Sequence, residues 1–464
     1  MEINPSIFKT YDIRGTVPDQ LTPEAAYRIG RAFGQYIWIT VLNKERDPVI
    51  VVNADARASS PELKAELLRG LLDEQCHVID CSLSTTPMHY FAINHLKADG
   101  GVMVTASHNP AQYNGFKLSR RGAEPIGEGS GMEEIRNTVL RGIFLVPARQ
   151  GSVRGEESVI EAYMEYICSL VDMAAFKKMN VVFDVGNGMV GLVLPKLLER
   201  LPIVADVLYG DIDMTFPNHE ANPLKDETLI ALKNAVAEKQ ADLGVAFDGD
   251  GDRVRFITPK GFAIPGDIMA ALFAQNILQN SRSGTSGDSP LSVVVYTVNS
   301  SRIVREVIEQ AGGDAIESRV GHALIKKVMR ARDALFGGEV SGHFYWRDYY
   351  YAESALLATL RMLAILSASG KTLDELVRPL LRYASSGEIN ITVPDKDKAL
   401  DAVAAHYQDA KEIKYVDGIS VAYEDFWFNV RPSNTESLLR ITMEAKEKSV
   451  LDARLDELLQ LVRQ

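Results

Sequence analysis

The run Pro48-Val49-Ile50-Val51-Val52-Asn53 is followed by Ser60-Pro61-Glu62, by an amphipathic stretch over residues 63–75, and by His77-Val78-Ile79-Asp80. An unbroken β-branched run is buried on both faces only when helices pack on each side, so it reads as a strand of a mostly parallel sheet. Ser60 before Pro61 reads as a helix start, because proline at the first helical position lacks an N–H that would go unsatisfied there anyway. The same order returns at Asn180-Val181-Val182-Phe183-Asp184, with a Gly-rich turn from Gly186 to Gly191. A helix is expected over residues 192–200, weakened by Pro195, and then a strand at Ala205-Asp206-Val207-Leu208. It returns again at Ser292-Val293-Val294-Val295-Tyr296, with Ser300-Ser301 capping a helix over residues 302–310 and Asp314-Ala315-Ile316 beyond Gly312-Gly313. Three strand–turn–helix–strand units predict three similar mixed α/β domains.

After Lys371 the pattern changes. A short helix over residues 372–382 leads to the strand-like Glu388-Ile389-Asn390-Ile391-Thr392-Val393 and a helix over 395–407, and then Leu439, Ile441 and Met443 alternate with Arg440 and Thr442. That alternation predicts antiparallel strands with one face on a core, hence a smaller C-terminal α+β domain. The expected domains are I over 1–152, II over 153–258, III over 259–370 and IV over 371–464; at about 150 residues per domain, length alone suggests roughly three. Residues 281–290 and 126–131 read as loops from their Gly and Ser content.

Hydrophobic residues at 46% and charged residues at 24% suit a chain with several packed cores and exclude extended disorder. Lys and Arg number 50 against 62 Asp and Glu, a formal charge of −12. That sign disfavours nucleic acid and anionic membrane as partners, and any anionic ligand needs a local basic pocket. The opening residues lack the charged leader and apolar core of a signal peptide, and no stretch reads as a membrane span, so a cytoplasmic location is expected. Cys76, Cys81 and Cys168 are sparse, with no CxxC, and read as reduced thiols.

The strand-like Gly101-Val102-Met103-Val104-Thr105 ends in Ala106-Ser107-His108-Asn109-Pro110. The C-terminal end of a strand in an α/β sheet faces the ligand crevice, which places the Ser107 hydroxyl well for a nucleophile, although Ser-Asn-Pro alone is also an ordinary turn. His108 is expected to point away from Ser107, as neighbours in sequence usually do, and no G-x-S-x-G elbow is present. In Asp248-Gly249-Asp250-Gly251-Asp252-Arg253, three carboxylates one glycine apart repel each other, and a bound Mg²⁺ or Ca²⁺ relieves this best. An EF-hand is excluded by Arg253 where Gly is required and Pro259 where the bidentate Glu belongs. A metal beside a serine points to phosphoryl transfer. Arg431-Pro432-Ser433-Asn434-Thr435-Glu436 collects donors that suit phosphate oxygens, or forms a capped turn. Glu339, Ser341 and His343 alternate, so they share one side if extended, as recognition of sugar hydroxyls requires. His322 and Lys326, four apart, read as a solvent-facing helical pair.

These stretches, with Tyr11-Asp12-Ile13-Arg14-Gly15, Asn114-Gly115-Phe116-Lys117 and Phe216-Pro217-Asn218-His219, resemble the α-D-phosphohexomutase family, in its phosphomannomutase/phosphoglucomutase branch, over nearly the whole chain. The resemblance implies three α/β domains and a smaller α+β domain around a central cleft. It implies an Mg²⁺-dependent enzyme that interconverts hexose 6-phosphate and hexose 1-phosphate, of mannose and/or glucose, with hexose 1,6-bisphosphate as intermediate and activator. By the same resemblance Ser107 carries a phosphoryl group, and its phosphate with Asp248, Asp250 and Asp252 holds the metal. Arg14 and Lys117 stabilise the transferring group, and His108, His322, His343 and Lys117 are the candidate proton carriers. Tyr11, Arg253, His322, Glu339 and Ser341 meet the sugar phosphate, and Arg431, Ser433, Asn434 and Thr435 grip the non-reacting phosphate. The related phosphoglucosamine branch usually has Gly where Asn434 stands and Gln where Val340 stands, so a phosphoglucosamine mutase is the alternative, as is a sugar-phosphate-binding protein without catalysis. Some bifunctional members carry basic residues at positions 298–301, where Arg302 is the nearest cation here. The expected partners are small hexose phosphates, with monomer and homodimer both open.

Overall fold

The computed structural model of the chain describes residues 3–146, 149–282, 292–433 and 438–463, so the loop expected over 281–290 falls mostly outside them. Two compact units divide the chain, Met1–Pro265 with Ser341–Asp374, and Gly266–Val340 with Glu375–Gln464.

The first sheet contains β1 (Ile13–Thr16), β2 (Val49–Ala54), β3 (His77–Leu83), β4 (Gly100–Val104), β5 (Tyr113–Arg120), β6 (Glu124–Pro125) and β7 (Ser152–Gly155), in the order β1-β5-β4-β2-β3-β7 with β6 on β5. β2 runs parallel to β3 and β4, with Val51 opposite Ile79 and Gly101, while β5 is antiparallel to β1, β4 and β6. Every residue of β4 is buried, which is why its apolar run is continuous. The helices Pro23–Tyr36 and Ser60–Asp73 pack closely because Gly70 has no side chain: a Cβ there would lie 2.1 Å from the Tyr27 carbonyl oxygen. The helix begins where Pro61 predicts, but Ser60 does not cap it. Its hydroxyl donates to Asp55 Oδ1 at 2.6 Å instead.

A second sheet in the same unit has β8 (Asn180–Asp184), β9 (Val204–Leu208), β10 (Leu243–Phe247) and β11 (Val254–Ile257), ordered β11-β10-β8-β9, parallel except for β11. The helix expected over 192–200 is cut short to a 3-10 turn, Met189–Leu192, and one α-helical segment, Leu194–Leu198. Pro195 has no N–H to continue a hydrogen-bonded ladder from the preceding turn, so the helix restarts around it.

In the second unit β12 (Val293–Thr297) lies between β13 (Asp314–Ser318) and β14 (Phe336–Gly338), all parallel. Ser301 caps the helix Arg302–Gln310 by accepting from the Ile303 N–H. β15 (Phe344–Trp346) and β16 (Ala352–Glu353) form an antiparallel pair in the first unit. The last sheet, in the second unit, is antiparallel throughout: β17 (Ala384–Ile391), β18 (Glu412–Lys414), β19 (Ile419–Ala422), β20 (Phe426–Pro432) and β21 (Leu439–Ala445), ordered β17-β21-β20-β19-β18. Leu439, Ile441 and Met443 are buried in its core with Leu451 and Leu458 of the helix Lys448–Val462, as the alternation requires. The segment over 372–382 is α-helical only from Leu373 to Val377, and Arg378–Leu380 around Pro379 is 3-10. Cys76, Cys81 and Cys168 are free thiols. Among the described residues no single helix is long and apolar enough to cross a membrane.

Candidate active site

Ser107 follows β4, at the end of the strand where the chain turns. Its φ of 53° is in the left-handed region, which residues with a Cβ rarely adopt, and its N–H donates to Thr105 Oγ1 at 3.0 Å. That backbone twist changes the expected geometry of its neighbour. His108 does not point away: its Nδ1 lies 3.2 Å from Ser107 Oγ, since the chain at Ser107 is turned rather than extended and the alternation of an extended strand does not apply there. Ser107 Oγ also donates to Asp248 Oδ2 at 3.1 Å. Burial, with Arg253 and Arg14 nearby, pushes the His108 imidazole well below its ordinary value, so it is neutral at pH 7.

Asp248 begins the turn between β10 and β11, and its Oδ1 accepts the N–H groups of Gly251 at 3.0 Å and of Asp252 and Arg253 at 3.1 Å. Asp250 Oδ2 accepts from Thr86 Oγ1 at 2.6 Å and from Lys117 Nζ at 2.7 Å, and Lys117 also donates to Asp252 Oδ2 at 2.6 Å. All three carboxylates are buried. Burial and then the charges of Asp252 and Asp250 push the Asp248 carboxyl well above the usual range. Burial opposes ionisation of Asp252 too, but Lys117 and His343 outweigh it and hold its carboxyl well below that range. Likewise burial works against the Lys117 ammonium, and Asp250 and Asp252 more than offset it.

One ligand oxygen from each of Asp248, Asp250 and Asp252 lies within 4.8 Å of the others. Asp250 Oδ1 is buried and has no hydrogen-bond partner among the described residues, a costly state that a cation relieves. A donor set of carboxylate oxygens alone fits a hard divalent ion of the Mg²⁺ or Ca²⁺ kind.

Around this cluster, Arg14 on β1 pairs with Asp12 and donates to Asn109 Oδ1 at 2.5 Å, and Tyr11 precedes it, half-buried. Arg253 Nε lies 3.9 Å from Asp248 Oδ2 and 3.2 Å from His343 Nε2. That same nitrogen is 3.2 Å from Asp252 Oδ1, and Nδ1 of the ring is 2.9 Å from Ser341 Oγ, so the tautomer decides which bonds form. The expected extended arrangement of residues 339–343 is not found. Gly342, at φ 84°, turns the chain, and His343 joins the carboxylates while Glu339 accepts the Gly321 N–H at 3.0 Å. In the second unit His322 opens the helix His322–Arg332, half-buried, but Lys326 is fully buried rather than solvent-facing. Arg431 on β20 is buried and donates to Glu388 Oε2 at 2.6 Å, and the Ser433 N–H donates to the Leu438 carbonyl at 2.9 Å. Asn434 and Thr435 lie outside the described residues. Arg302, the nearest cation to positions 298–301, donates through Nη2 to the carbonyls of Tyr423 and Phe426 at 2.8 Å.

Two residues of the cluster carry no motif signal in the sequence. Thr86 meets Asp250 with both its hydroxyl and its N–H, the latter at 2.9 Å to the carbonyl. Arg57, paired with Asp55, reaches the backbone of the Ser107 loop. The one available hint is that Asp55 and Arg57 follow the C-terminal end of a buried strand.

Four family models of the phosphoglucomutase/phosphomannomutase type match in order: alpha/beta/alpha domain I over residues 5–144, domain II over 161–261, domain III over 265–383 and the C-terminal domain over 388–461. The chain is 39% identical to a Xanthomonas campestris protein named phosphohexose mutases, covering 98% of this chain and 99% of that one. It is 35% identical to a Salmonella montevideo phosphomannomutase, covering 99% of each. The crystal structure of a phosphoglucomutase/phosphomannomutase family protein from Burkholderia thailandensis superposes with a TM-score of 0.88 at 30% identity, over 99% of this chain and 97% of that one. With matches along its whole length to such relatives, the chain belongs to the phosphoglucomutase/phosphomannomutase family and is a phosphohexose mutase, an isomerase.

Proposed function

We propose that the chain interconverts hexose 6-phosphate and hexose 1-phosphate, of mannose and/or glucose, through a phosphoryl group carried on Ser107. The observation that carries this reading is the Ser107 hydroxyl, buried at a strand end and 3.1 Å from a carboxylate of the aspartate trio. In the forward step the P–O bond to Ser107 breaks as a new one forms to the free sugar hydroxyl, which gives up its proton. The product is a hexose 1,6-bisphosphate, since one phosphate was already present. After the bisphosphate turns over, its other phosphoryl group returns to Ser107 and the sugar oxygen regains a proton.

Each direction needs a proton acceptor and cationic support. When Ser107 attacks, its proton can pass to His108 Nδ1 at 3.2 Å, neutral and so able to accept it, or to Asp248 Oδ2 at 3.1 Å. Lys117 and Arg14 place positive charge beside the serine loop, where negative charge moves during transfer. Mg²⁺ held by Asp248, Asp250 and Asp252 would offset charge on the transferring group. In this reading Tyr11, Arg253, His322, Glu339 and Ser341 bind the sugar phosphate, with His343 orienting Asp252. Arg431, Ser433, Asn434 and Thr435 hold the other phosphate, and the domain borders fall near residues 152, 258 and 370.

A coupled mutase assay with mannose 1-phosphate, glucose 1-phosphate and glucosamine 1-phosphate, each with a trace of the matching bisphosphate, tests the reading. Turnover of the mannose or glucose compound that disappears in Ser107→Ala supports it. Preference for the glucosamine compound, or near-normal turnover by Ser107→Ala, overturns it.

A further inference from the structure

Arg57 has no place in the chemistry above, yet it is one of the largest fully buried side chains, 1% exposed. A guanidinium carries five N–H donors in a rigid plane, and here all five are used. Nη2 donates to the carbonyls of Ser107 at 2.8 Å and Asn109 at 2.7 Å. Nη1 donates to those of Pro110 at 2.8 Å and Tyr113 at 3.1 Å. Nε donates to Asp55 Oδ2 at 3.1 Å, and Asp55 Oδ1 is held in turn by Ser60 Oγ at 2.6 Å and by the Arg57 N–H at 3.1 Å. The Phe216 ring lies over the guanidinium, 5.5 Å from its centre.

Four carbonyls of one seven-residue loop therefore converge on a single planar cation. The residue at the head of that loop, Ser107, sits at φ 53°, a conformation that a serine holds only when its surroundings impose it. The Pro110 carbonyl also accepts the Tyr113 N–H at 3.0 Å, and the Ser107 N–H is held by Thr105 Oγ1, but among the described residues the guanidinium is the one group that ties the carbonyls of Ser107, Asn109, Pro110 and Tyr113 together, and removing it frees that end of the loop.

We propose that Arg57 is a positioning residue for phosphoryl transfer: by gathering the Ser107 loop carbonyls it holds Ser107 in the left-handed turn that aims Oγ at Asp248 and His108. The proposal rests on Ser107 as the phosphoryl carrier and goes beyond it, because Arg57 meets Ser107 only through its carbonyl. Lysine cannot substitute. Its ammonium has three donors around a point charge and no planar fork.

The test uses the full chain as Arg57→Lys and Arg57→Ala. kcat and KM are measured with glucose 1-phosphate or mannose 1-phosphate, and uptake of phosphate by the dephosphorylated protein from hexose 1,6-bisphosphate is timed by intact mass. In each folded variant kcat is expected to fall on the order of 100-fold, the scale for a catalytic group displaced by about 1 Å, with phosphate uptake slowed in parallel. KM is expected to change by less than about threefold, because the sugar phosphate contacts are untouched. Recovery of Arg57→Ala turnover by added guanidinium but not ammonium ions supports positioning, which a general loss of packing would not produce. If Arg57→Ala does not fold, Arg57→Lys decides alone. Wild-type protein and folded Arg57→Lys taking up phosphate at equal rates overturns this proposal and leaves the phosphoserine intact. Wild-type protein that takes up no phosphate overturns both.

Discussion

Gly249, between Asp248 and Asp250, lets the carboxylate turn press against the serine loop, and replacing it with alanine should separate them. Its φ is not positive, so Gly249→Ala adds no backbone strain and the effect is one of contact. A Cβ at this position would stand 2.5 Å from the Ser107 carbonyl oxygen, where real contacts of this kind do not come below 3.0 Å and are comfortable only beyond 3.4 Å. One loop must therefore give by about 0.5 to 0.9 Å, the differences 3.0 − 2.5 and 3.4 − 2.5. The serine loop cannot give freely, because Arg57 holds the same carbonyl at 2.8 Å. Carried to the side chains, that shift stretches the 3.1 Å contact from Ser107 Oγ to Asp248 Oδ2 to about 3.6 to 4.0 Å, past hydrogen bonding. The stability cost should be that of modest overpacking, about 1–3 kcal/mol, while kcat should fall by on the order of 10 to 100-fold. Coupled mutase turnover read beside a urea unfolding curve separates the two. Folded Gly249→Ala with turnover within about twofold of wild type would refute the idea that this distance matters.

Three further perturbations follow from particular contacts. Asp250→Asn removes one anionic ligand and should raise the Mg²⁺ concentration for half-maximal activity by more than about tenfold; an unchanged titration contradicts the aspartate trio as the metal site. His219 Nε2 lies 3.1 Å from both Asp184 oxygens, and that bond, working against burial, raises the imidazole above its ordinary value. A raised folded value stabilises fully below the unfolded value of about 6.5 and fades as pH rises through the folded one, so His219→Gln should destabilise more at pH 6 than at pH 9 in urea unfolding; an equal loss at both contradicts the pairing. Arg302→Ala gives up the hydrogen bonds to Tyr423 and Phe426, and should cost about 2–3 kcal/mol in the same assay; an unshifted midpoint contradicts that clasp.

What the sequence displays and what it conceals divide by the range of the interactions. The clustering of the Asp248, Asp250 and Asp252 carboxylates is legible because all three come from one turn, and their repulsion is apparent from spacing alone. Ser107 is legible from its place at the end of an apolar strand. The contact between Ser107 and His108 is not, since it depends on a left-handed φ that neighbours far along the chain impose. Arg57 is hidden for the same reason: apart from Asp55, its partners are main-chain carbonyls 50 or more residues away, and a carbonyl leaves no mark in a sequence. Lys326 has an ordinary helical spacing from His322, and only the packing around the helix buries it. The repeated α/β pattern and the antiparallel last sheet could be read from periodicity because burial on two faces, or on one, selects continuous or alternating apolar residues locally. The helix interrupted at Pro195 was readable only in part, as a weakness whose outcome depends on the adjoining turn.

Whether Ser107 carries the phosphoryl group between substrate molecules is decided by locating that group on the protein. Dephosphorylated protein is incubated with hexose 1,6-bisphosphate and Mg²⁺, and the mass gain is assigned by peptide fragmentation. One added phosphoryl group is expected, on Ser107 and on no other residue, removed on incubation with hexose 6-phosphate. No gain in mass, or a phosphoryl group on a different residue, would contradict it.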